Sequence, residues 1–330
     1  MKKFNVAVVG ATGLVGRTIL QVLQEKDFPV QNLYLIASER SEGEIVQFKD
    51  KEYKVIKISE EAFDKEIDIA FFAAGGAVSE KYAPIAAEKG IQVVDNSSVF
   101  RMNPGVPLVV PEVNPEDIKN SKGIIANPNC STIQCMLPLK ALQDAYGIER
   151  VVYSTYQSVS GSGTKGLRDL DKGLAEFYPY PINGNVLPHI DVFLDNGYTK
   201  EEMKMIQETR KILHDDEMKI TATTVRVPVR FAHSVSANIQ LKRKFDINVV
   251  RKILQGYPGI IVKDDPEKAE YPIPQDAEGK DEVYVGRIRR DFSQENGLNL
   301  WIVADNIRKG AATNAVQIGE LLVNNWEEKE

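Results

Sequence analysis

Histidine is scarce in this chain: His189, His214 and His233 are the three present among 330 residues. Cysteine is scarcer, with only Cys130 and Cys135. Two thiols in a chain this long do not make a disulfide framework, so each must be judged on its surroundings. A long apolar run is also missing. The longest, Ile67 to Val78, is broken by Asp68 and by Gly75-Gly76. It falls short of the roughly 20 residues a membrane-spanning helix needs. Met1-Lys2-Lys3-Phe4 leads straight into a strand-like segment, with no separate apolar core and cleavage site. The expectation is a cytoplasmic protein with no membrane partner. A basic excess is lacking too: 41 Lys and Arg stand against 47 Asp and Glu, a formal net charge of -6. Nothing supplies a broad basic face, so no nucleic acid is expected. The short run Arg287-Ile288-Arg289-Arg290 reads as a solvated edge or an interface. No internal repeat or low-complexity tract is visible.

What is there has the balance of an ordinary globular protein, 43% hydrophobic and 27% charged. The length suffices for two domains. Phe4–Val9 is an apolar strand, followed by a glycine turn and an amphipathic helix from Arg17 to about Glu25. Strands at 32–38, 67–74 and 92–95 alternate with helical segments, one of them near 79–89. Strands apolar on both sides, separated by helices, imply a parallel sheet covered on both faces. After residue 130 a helix runs to about Ala145. Long β-branched strands follow at 150–158, 220–229, 234–241, 283–289 and 298–303. Few helices separate the later ones, which implies an α+β unit with a mostly antiparallel sheet. The fold class is therefore α/β: a Rossmann-like dinucleotide-binding domain over 1–129, and a catalytic and dimerisation domain over 130–310. The amphipathic C-terminal helix, 311–330, is assigned to completing the first.

Gly10, Gly13 and Gly16 lie between the first strand and the first helix. Glycines there permit a tight turn and let the backbone approach a pyrophosphate at the helix N-terminus. After the second strand the chain reads Ser38-Glu39-Arg40-Ser41. An acid suits the ribose hydroxyls of NAD, whereas an arginine suits the 2′-phosphate of NADP. Both signals are present. NADP is the preferred reading, because Arg40 and the two serines can surround a phosphate, and no metal is expected.

Asn127-Pro128-Asn129-Cys130-Ser131-Thr132 ends a strand and begins a helix. Cys130 therefore stands at a helix N-terminus, where the dipole and unsatisfied N–H groups favour a thiolate. Cys135, five positions on, lies inside the helix and reads as an inert core residue. A thiol nucleophile wants a proton-handling partner. His214 sits in a polar helix end and His189 in a loop. His233 falls at a strand junction, with an unperturbed pKa near neutrality. It reads equally as an acid–base residue or as a satisfied structural histidine.

These segments, taken together, resemble the aspartate-semialdehyde dehydrogenase family. The likeness rests on Gly10-Ala11-Thr12-Gly13-Leu14-Val15-Gly16, the run from Asn127 to Gln134, Ser154 to Gly161, and Arg226-Val227-Pro228-Val229 leading to His233-Ser234. Asn299 to Asn306 and Lys309 to Ala312 extend it over nearly the whole chain. The resemblance implies NADPH-dependent reductive dephosphorylation of L-aspartyl-4-phosphate to the semialdehyde through a thioester. This would serve lysine/diaminopimelate, threonine, methionine and isoleucine biosynthesis, in a homodimer. It implies that Cys130 is the nucleophile, His233 the acid–base residue, and Gln157 the group orienting the carbonyl. Arg226 would pair with the substrate carboxylate, Arg101 and Lys204 with the phosphate, and Glu201 would lie near the substrate amino group. Thr12, Gly13, Leu14, Val15, Ser38, Arg40, Ser160, Gly161 and Gln317 match cofactor contacts. Two alternatives remain. One is an N-acetyl-glutamyl-phosphate reductase-like enzyme, against which Glu201-Lys204 and the segment from Arg226 to His233 speak. The other is a non-catalytic homologue acting as a binding protein, which would be expected to have lost the thiol, the histidine or the glutamine.

Overall fold

The computed structural model describes residues 2–327. Met1 and residues 328–330, which the sequence reading included, lie outside them. The chain divides into two compact units, one running to Pro128 and resuming at Ala311, the other spanning Asn129–Gly310.

In the first unit β1 (Phe4–Val9), α1 (Leu14–Glu25) and β2 (Val30–Ala37) form the opening strand–helix–strand unit. A small antiparallel hairpin, β3 (Ile45–Phe48) and β4 (Lys51–Lys54), precedes the short β5 (Ile56–Lys57). Then come β6 (Ile69–Phe72), α2 (Gly76–Glu88), β7 (Gln92–Asp95) and β8 (Ile124–Ala126). The main sheet has the order β5-β2-β1-β6-β7-β8, and its pairings are parallel. Side-chain alternation explains why its strands are apolar throughout. Phe4, Val6 and Val8 join the cluster that holds Ile19 and Leu23 of α1. Ala7 and Val9 face the opposite cluster, with Ala83 and Ala86 of α2. Strand order reverses at β1, so the crevice at its carboxyl end is the expected ligand position of an open α/β sheet.

In the second unit α3 (Cys130–Tyr146) leads into β9 (Ile148–Gln157), α4 (Gly163–Lys172), α5 (Lys200–Leu213), β10 (Lys219–Arg226) and β11 (His233–Leu241). It continues with α6 (Ile247–Gly256), β12 (Ile260–Val262), the one-turn α7 (Pro274–Ala277), β13 (Val283–Asp291) and β14 (Gly297–Ala304). The sheet order is β10-β9-β11-β14-β13-β12. The three inner pairings are antiparallel and the two edge pairings parallel, so the sheet is mixed. Val151, Tyr153 and Thr155 of β9 are fully buried, while Tyr156 is 40% exposed. The alternation leaves one sheet face partly open, with Tyr156 packed on Trp301 at 5.4 Å.

Two boundaries differ from the sequence reading. The strand expected to reach Val229 stops at Arg226, because Pro228 has no N–H for a ladder. The chain then turns, with Ala232 at φ 66, and delivers His233 to the head of β11. The last helix, α8 (Thr313–Glu327), begins after a π-turn at Arg308–Ala312. Its Ala315, Val316, Ile318 and Leu322 pack into the first unit's core.

Candidate active site

Asn129 caps α3: its side-chain oxygen accepts from the N–H groups of Ser131 (3.0 Å) and Thr132 (3.3 Å). Cys130 is the first helical residue and stays partly accessible, whereas Cys135 is fully buried. Burial alone pushes the Cys135 thiol well above its usual range. Five residues along one helix thus separate a thiol at the helix's positive end from one sealed in the core.

His233 Nε2 lies 3.3 Å from Cys130 Sγ. The ring is buried, and its Nδ1 meets the Ser158 backbone N–H at 3.0 Å and the Ser158 hydroxyl at 3.0 Å. Burial, and then the nearby Arg226 charge, lower its pKa to about 3, with Glu201 opposing. The near-neutral pKa assumed from sequence is therefore corrected, because an unperturbed value presumes a solvated ring.

Arg226, the last residue of β10, is 4% exposed. Its Nη1 donates to the Ser158 carbonyl at 2.6 Å. Its Nε is buried without a hydrogen-bond partner, and the guanidinium forms no ion pair among the described residues. A buried cation left uncompensated is costly, so this one marks a place for an anion. Gly161 faces the same space. A Cβ there would lie 3.1 Å from Arg226 Nη1 and 3.3 Å from His233 Nε2.

Glu201, in the first turn of α5, ties these parts together. Its carboxylate accepts from Asn129 Nδ2 (2.9 Å), Gln157 Nε2 (3.1 Å) and Lys204 Nζ (3.0 Å). Burial would raise its pKa, but Lys204 and the two amide donors outweigh that and bring it to about 2. Lys204 is also held by Asp191 at 2.7 Å. Burial works to lower the lysine's pKa, and the two carboxylates reverse this and raise it. Cys130, Gln157, Glu201, Lys204, Arg226 and His233 thus belong to one connected site in the second unit.

In the first unit Arg101 is buried, with Nε donating to the Asn127 carbonyl and Nη2 to that of Asn96, both at 2.9 Å. Gly10 has φ +87, and a Cβ there would lie 2.5 Å from the Ala73 carbonyl oxygen after β6, so glycine is required. Gly13 is the N-cap of α1 and supplies no side-chain cap. Gly16 packs against Gly10 so closely that a Cβ would collide with its carbonyl. A cavity of about 300 Å³ opens at this crevice, lined by Gly10, Thr12, Gly13, Ser38 and Val78 among others. Helix N–H groups facing a side-chain-free cradle fit a pyrophosphate. Leu14 opens α1, and Val15 packs on the core behind it. Thr12 Oγ1 reaches Ser41 Oγ at 3.1 Å. Glu39 is engaged by Lys57 at 2.7 Å, while the exposed Arg40 has no ion pair among the described residues. Gln317 of α8 bonds Glu112 at 2.8 Å. Ser160, in the second unit, donates to Asn306 Oδ1 at 3.1 Å.

Residues 5–121 match the family described as "Semialdehyde dehydrogenase, NAD binding domain", and residues 139–309 match "Semialdehyde dehydrogenase, dimerisation domain". An aspartate-semialdehyde dehydrogenase of Aquifex aeolicus is 56% identical over 333 residues, covering 97% of this chain and 98% of that protein. The chain belongs to the aspartate-semialdehyde dehydrogenase family. A crystal structure of aspartate semialdehyde dehydrogenase II complexed with ASA, from Vibrio cholerae, superposes with a TM-score of 0.95 at 48% identity, over 99% of this chain and 100% of that one. The Candida albicans enzyme with NADP matches at a TM-score of 0.79 and 27% identity, over 97% and 98% of the two chains. The NAD-binding match thus falls within the first unit and the dimerisation match within the second.

Family membership does not by itself name every residue the site depends on. Ser158, which bonds His233, and Asn306, which accepts from the Ser158 hydroxyl, were not singled out from sequence. Nor was Glu208, which accepts the Asn129 N–H at 2.7 Å. Ser158 and Asn306 lie inside the quoted motifs, but a serine after a strand carries no local mark of what its N–H meets.

Proposed function

We propose that the chain reduces L-aspartyl-4-phosphate to L-aspartate-4-semialdehyde, releasing phosphate, through a thioester on Cys130 and with NADPH as reductant. The reading serves the amino-acid pathways named above and assigns a homodimer. The observation that carries it is the Cys130–His233 pair standing with a buried arginine that lacks an anionic partner. A hydrolase or an oxidoreductase of simple aldehydes needs the thiol. A substrate that carries a separate anion, such as the α-carboxylate, supplies the partner Arg226 lacks.

The geometry of each group supports the role assigned to it. Arg226 takes the substrate α-carboxylate through paired N–H bonds, which a lysine cannot reproduce. The Cys130 thiolate, favoured by the α3 N-terminus, attacks the acyl carbon and expels phosphate. Gln157, held by Glu201 and by Thr155 (3.0 Å), presents its amide to orient the carbonyl. His233 assists the carbonyl oxygen as the tetrahedral adduct forms and collapses. Arg101 and Lys204 are assigned to the phosphate. Lys204 Nζ has three donors, of which Asp191 and Glu201 engage two, so one is left for the phosphate. Glu201 is assigned to the substrate amino group as well as to this anchoring role. The nicotinamide, when bound, supplies the hydride.

Gly10, Thr12, Gly13, Leu14, Val15, Gly16, Ser38, Arg40, Ser160, Gly161 and Gln317 are assigned to cofactor contacts. For the 2′-phosphate, the Lys57–Glu39 pair bears on the choice between dinucleotides. It engages Glu39, the acid that would compete for ribose hydroxyls, while the exposed Arg40 has no ion pair among the described residues.

Phosphate-dependent oxidation of aspartate semialdehyde, run with NADP and with NAD, tests substrate, direction and cofactor together. N-acetylglutamate semialdehyde serves as the rival substrate. The expected result is activity with the aspartyl compound and a much lower Michaelis constant for NADP. Preference for the N-acetylglutamyl compound would reassign the substrate, and equal constants would remove the NADP assignment.

A further inference from the structure

Gln157 ends β9, and the direction of its amide decides what it can offer a carbonyl. The two ends of an amide are opposite in kind: an oxygen that accepts, and a nitrogen with two N–H donors. Glu201 Oε1 stands 3.1 Å from the nitrogen end. Glu201 is held as a carboxylate, which only accepts, so the group facing it must be an N–H. The oxygen end faces Thr155, whose Oγ1 lies 3.0 Å from Gln157 Oε1. Thr155 and Gln157 are two apart on one strand, so their side chains leave the same face of the sheet. Thr155 has one hydroxyl hydrogen to give. The Val225 N–H, on the neighbouring strand β10, points at Thr155 Oγ1 from 3.3 Å. A peptide nitrogen always donates, so it takes a lone pair of the hydroxyl and leaves the hydrogen for Gln157. Both side chains are buried, away from bulk solvent.

The amide is thus pinned at both ends, through its oxygen by Thr155 and through one N–H by Glu201. Its second N–H has no protein partner among the described residues. The Glu201 oxygen that holds Gln157 also holds Asn129 Nδ2, at 2.9 Å, and Asn129 precedes Cys130. The Gln157 amide therefore stands beside the segment that carries the thiol.

We propose that Thr155 is a positioning residue of the reaction, whose hydroxyl pins Gln157 Oε1 so that the open Nε2–H is presented to the oxygen of the acyl group on Cys130. The inference deepens the thioester reading given above and rests on it. Thr155 acts through Gln157 and lends no group of its own to the substrate. The aldehyde oxygen takes the same place in the reverse direction. Negative charge grows on that oxygen as the thiolate adds, and a donor fixed in advance gains most at that moment. An amide free to pivot about its Glu201 contact still admits the substrate but loses the aim that the transition state needs. The cost of losing Thr155 therefore falls on kcat and not on KM.

The test is steady-state kinetics of the full chain in phosphate-dependent oxidation of aspartate semialdehyde. Thr155→Val replaces the hydroxyl by a methyl of similar size, and Thr155→Ser keeps the hydroxyl. In Thr155→Val, kcat is expected to fall roughly tenfold or more, with KM for the semialdehyde and for NADP within about threefold. Thr155→Ser should recover kcat to within about threefold of wild type. In a Gln157→Ala background, Thr155→Val should change kcat by less than about twofold, because the group it acts through is gone. Wild-type kcat in Thr155→Val, a Thr155→Ser no better than Thr155→Val, or the same loss in the Gln157→Ala background overturns the proposal. NMR of the wild-type chain labelled with 15N-glutamine gives a reading that needs no folded Thr155 variant. Assigned by its loss in Gln157→Ala, the side-chain amide of Gln157 should give a single pair of N–H signals. A second pair would show an amide that samples another position, and would overturn the pinning by itself. Failure of the thioester reading would show separately, as absent turnover in the wild-type chain or as turnover with no aspartyl adduct on Cys130.

Discussion

At the scale of residues, the site is a set of buried polar groups each held by more than one partner. Arg226 is the exception, with an Nε that has no hydrogen-bond partner in the described structure. A charged hydrogen bond contributes roughly 1.5–3 kcal/mol, or about 10- to 100-fold in a rate constant. Arg226→Lys is therefore expected to lower kcat/KM for aspartate semialdehyde by that factor, mostly through KM. Steady-state kinetics check this, and an unchanged KM would place the substrate carboxylate elsewhere. Gly161 belongs to the same scale. Gly161→Ala puts a methyl 3.1 Å from Arg226 Nη1 and 3.3 Å from His233 Nε2. Turnover should fall at least tenfold while the melting temperature moves by no more than a few degrees, because the methyl enters the substrate's space.

At the scale of elements, the N-cap of α3, the first turn of α5 and the end of β9 converge on Glu201. Its folded pKa of about 2 lies below the ordinary 4.5. A depressed carboxylate pKa contributes stability that is complete above the unfolded value and is lost as pH falls towards the folded one. The window here is about pH 4.5 down to 2, and the contribution is on the order of 3 kcal/mol. His233 acts in the same direction at higher pH. Its ring resists protonation to about pH 3, so stability is lost progressively from pH 6.5 downward as the unfolded chain takes up the proton. Glu201→Gln should destabilise the fold at pH 7 by about 3 kcal/mol and flatten the acid limb below pH 4.5, as read by urea unfolding across pH. An acid limb identical to wild type would show that Glu201 is not the anchor described. How far the sequence foretold these elements follows from the same physics. The strands of the first unit were legible because both faces are buried, leaving continuous apolar runs. The end of β10 was not, because Val227 to Val229 continue the β-branched pattern and only the missing N–H of Pro228 stops the ladder. Cys130 was legible from the cap beside it. The depression of the His233 pKa was not, since it depends on burial and on Arg226, seven residues away in sequence and adjacent only after the turn at Ala232.

At the scale of the whole molecule, the mixed sheet of the second unit keeps one face partly open. Tyr156, Ser236, Arg287 and Trp301 border a cavity of about 380 Å³ on it. The family names this domain for dimerisation, and an open face of aromatic and basic residues suits an interface core. The expected assembly is a homodimer through this face. Tyr156→Arg should shift the sedimentation mass from dimer towards monomer at micromolar concentration, and an unaltered dimer would place the interface elsewhere. Among the described residues no helix is long and apolar enough to cross a membrane.

Covalent chemistry at Cys130 is tested most directly by mass spectrometry of the chain mixed with L-aspartyl-4-phosphate in the absence of reductant. An aspartyl adduct should form on the peptide carrying Cys130, vanish on adding NADPH, and be absent in Cys130→Ser, whose turnover should fall by on the order of 10³-fold or more. Because Cys130 and Cys135 share a helix, fragmentation must separate them. An adduct on Cys135, or a Cys130→Ser variant with full activity, would contradict the account.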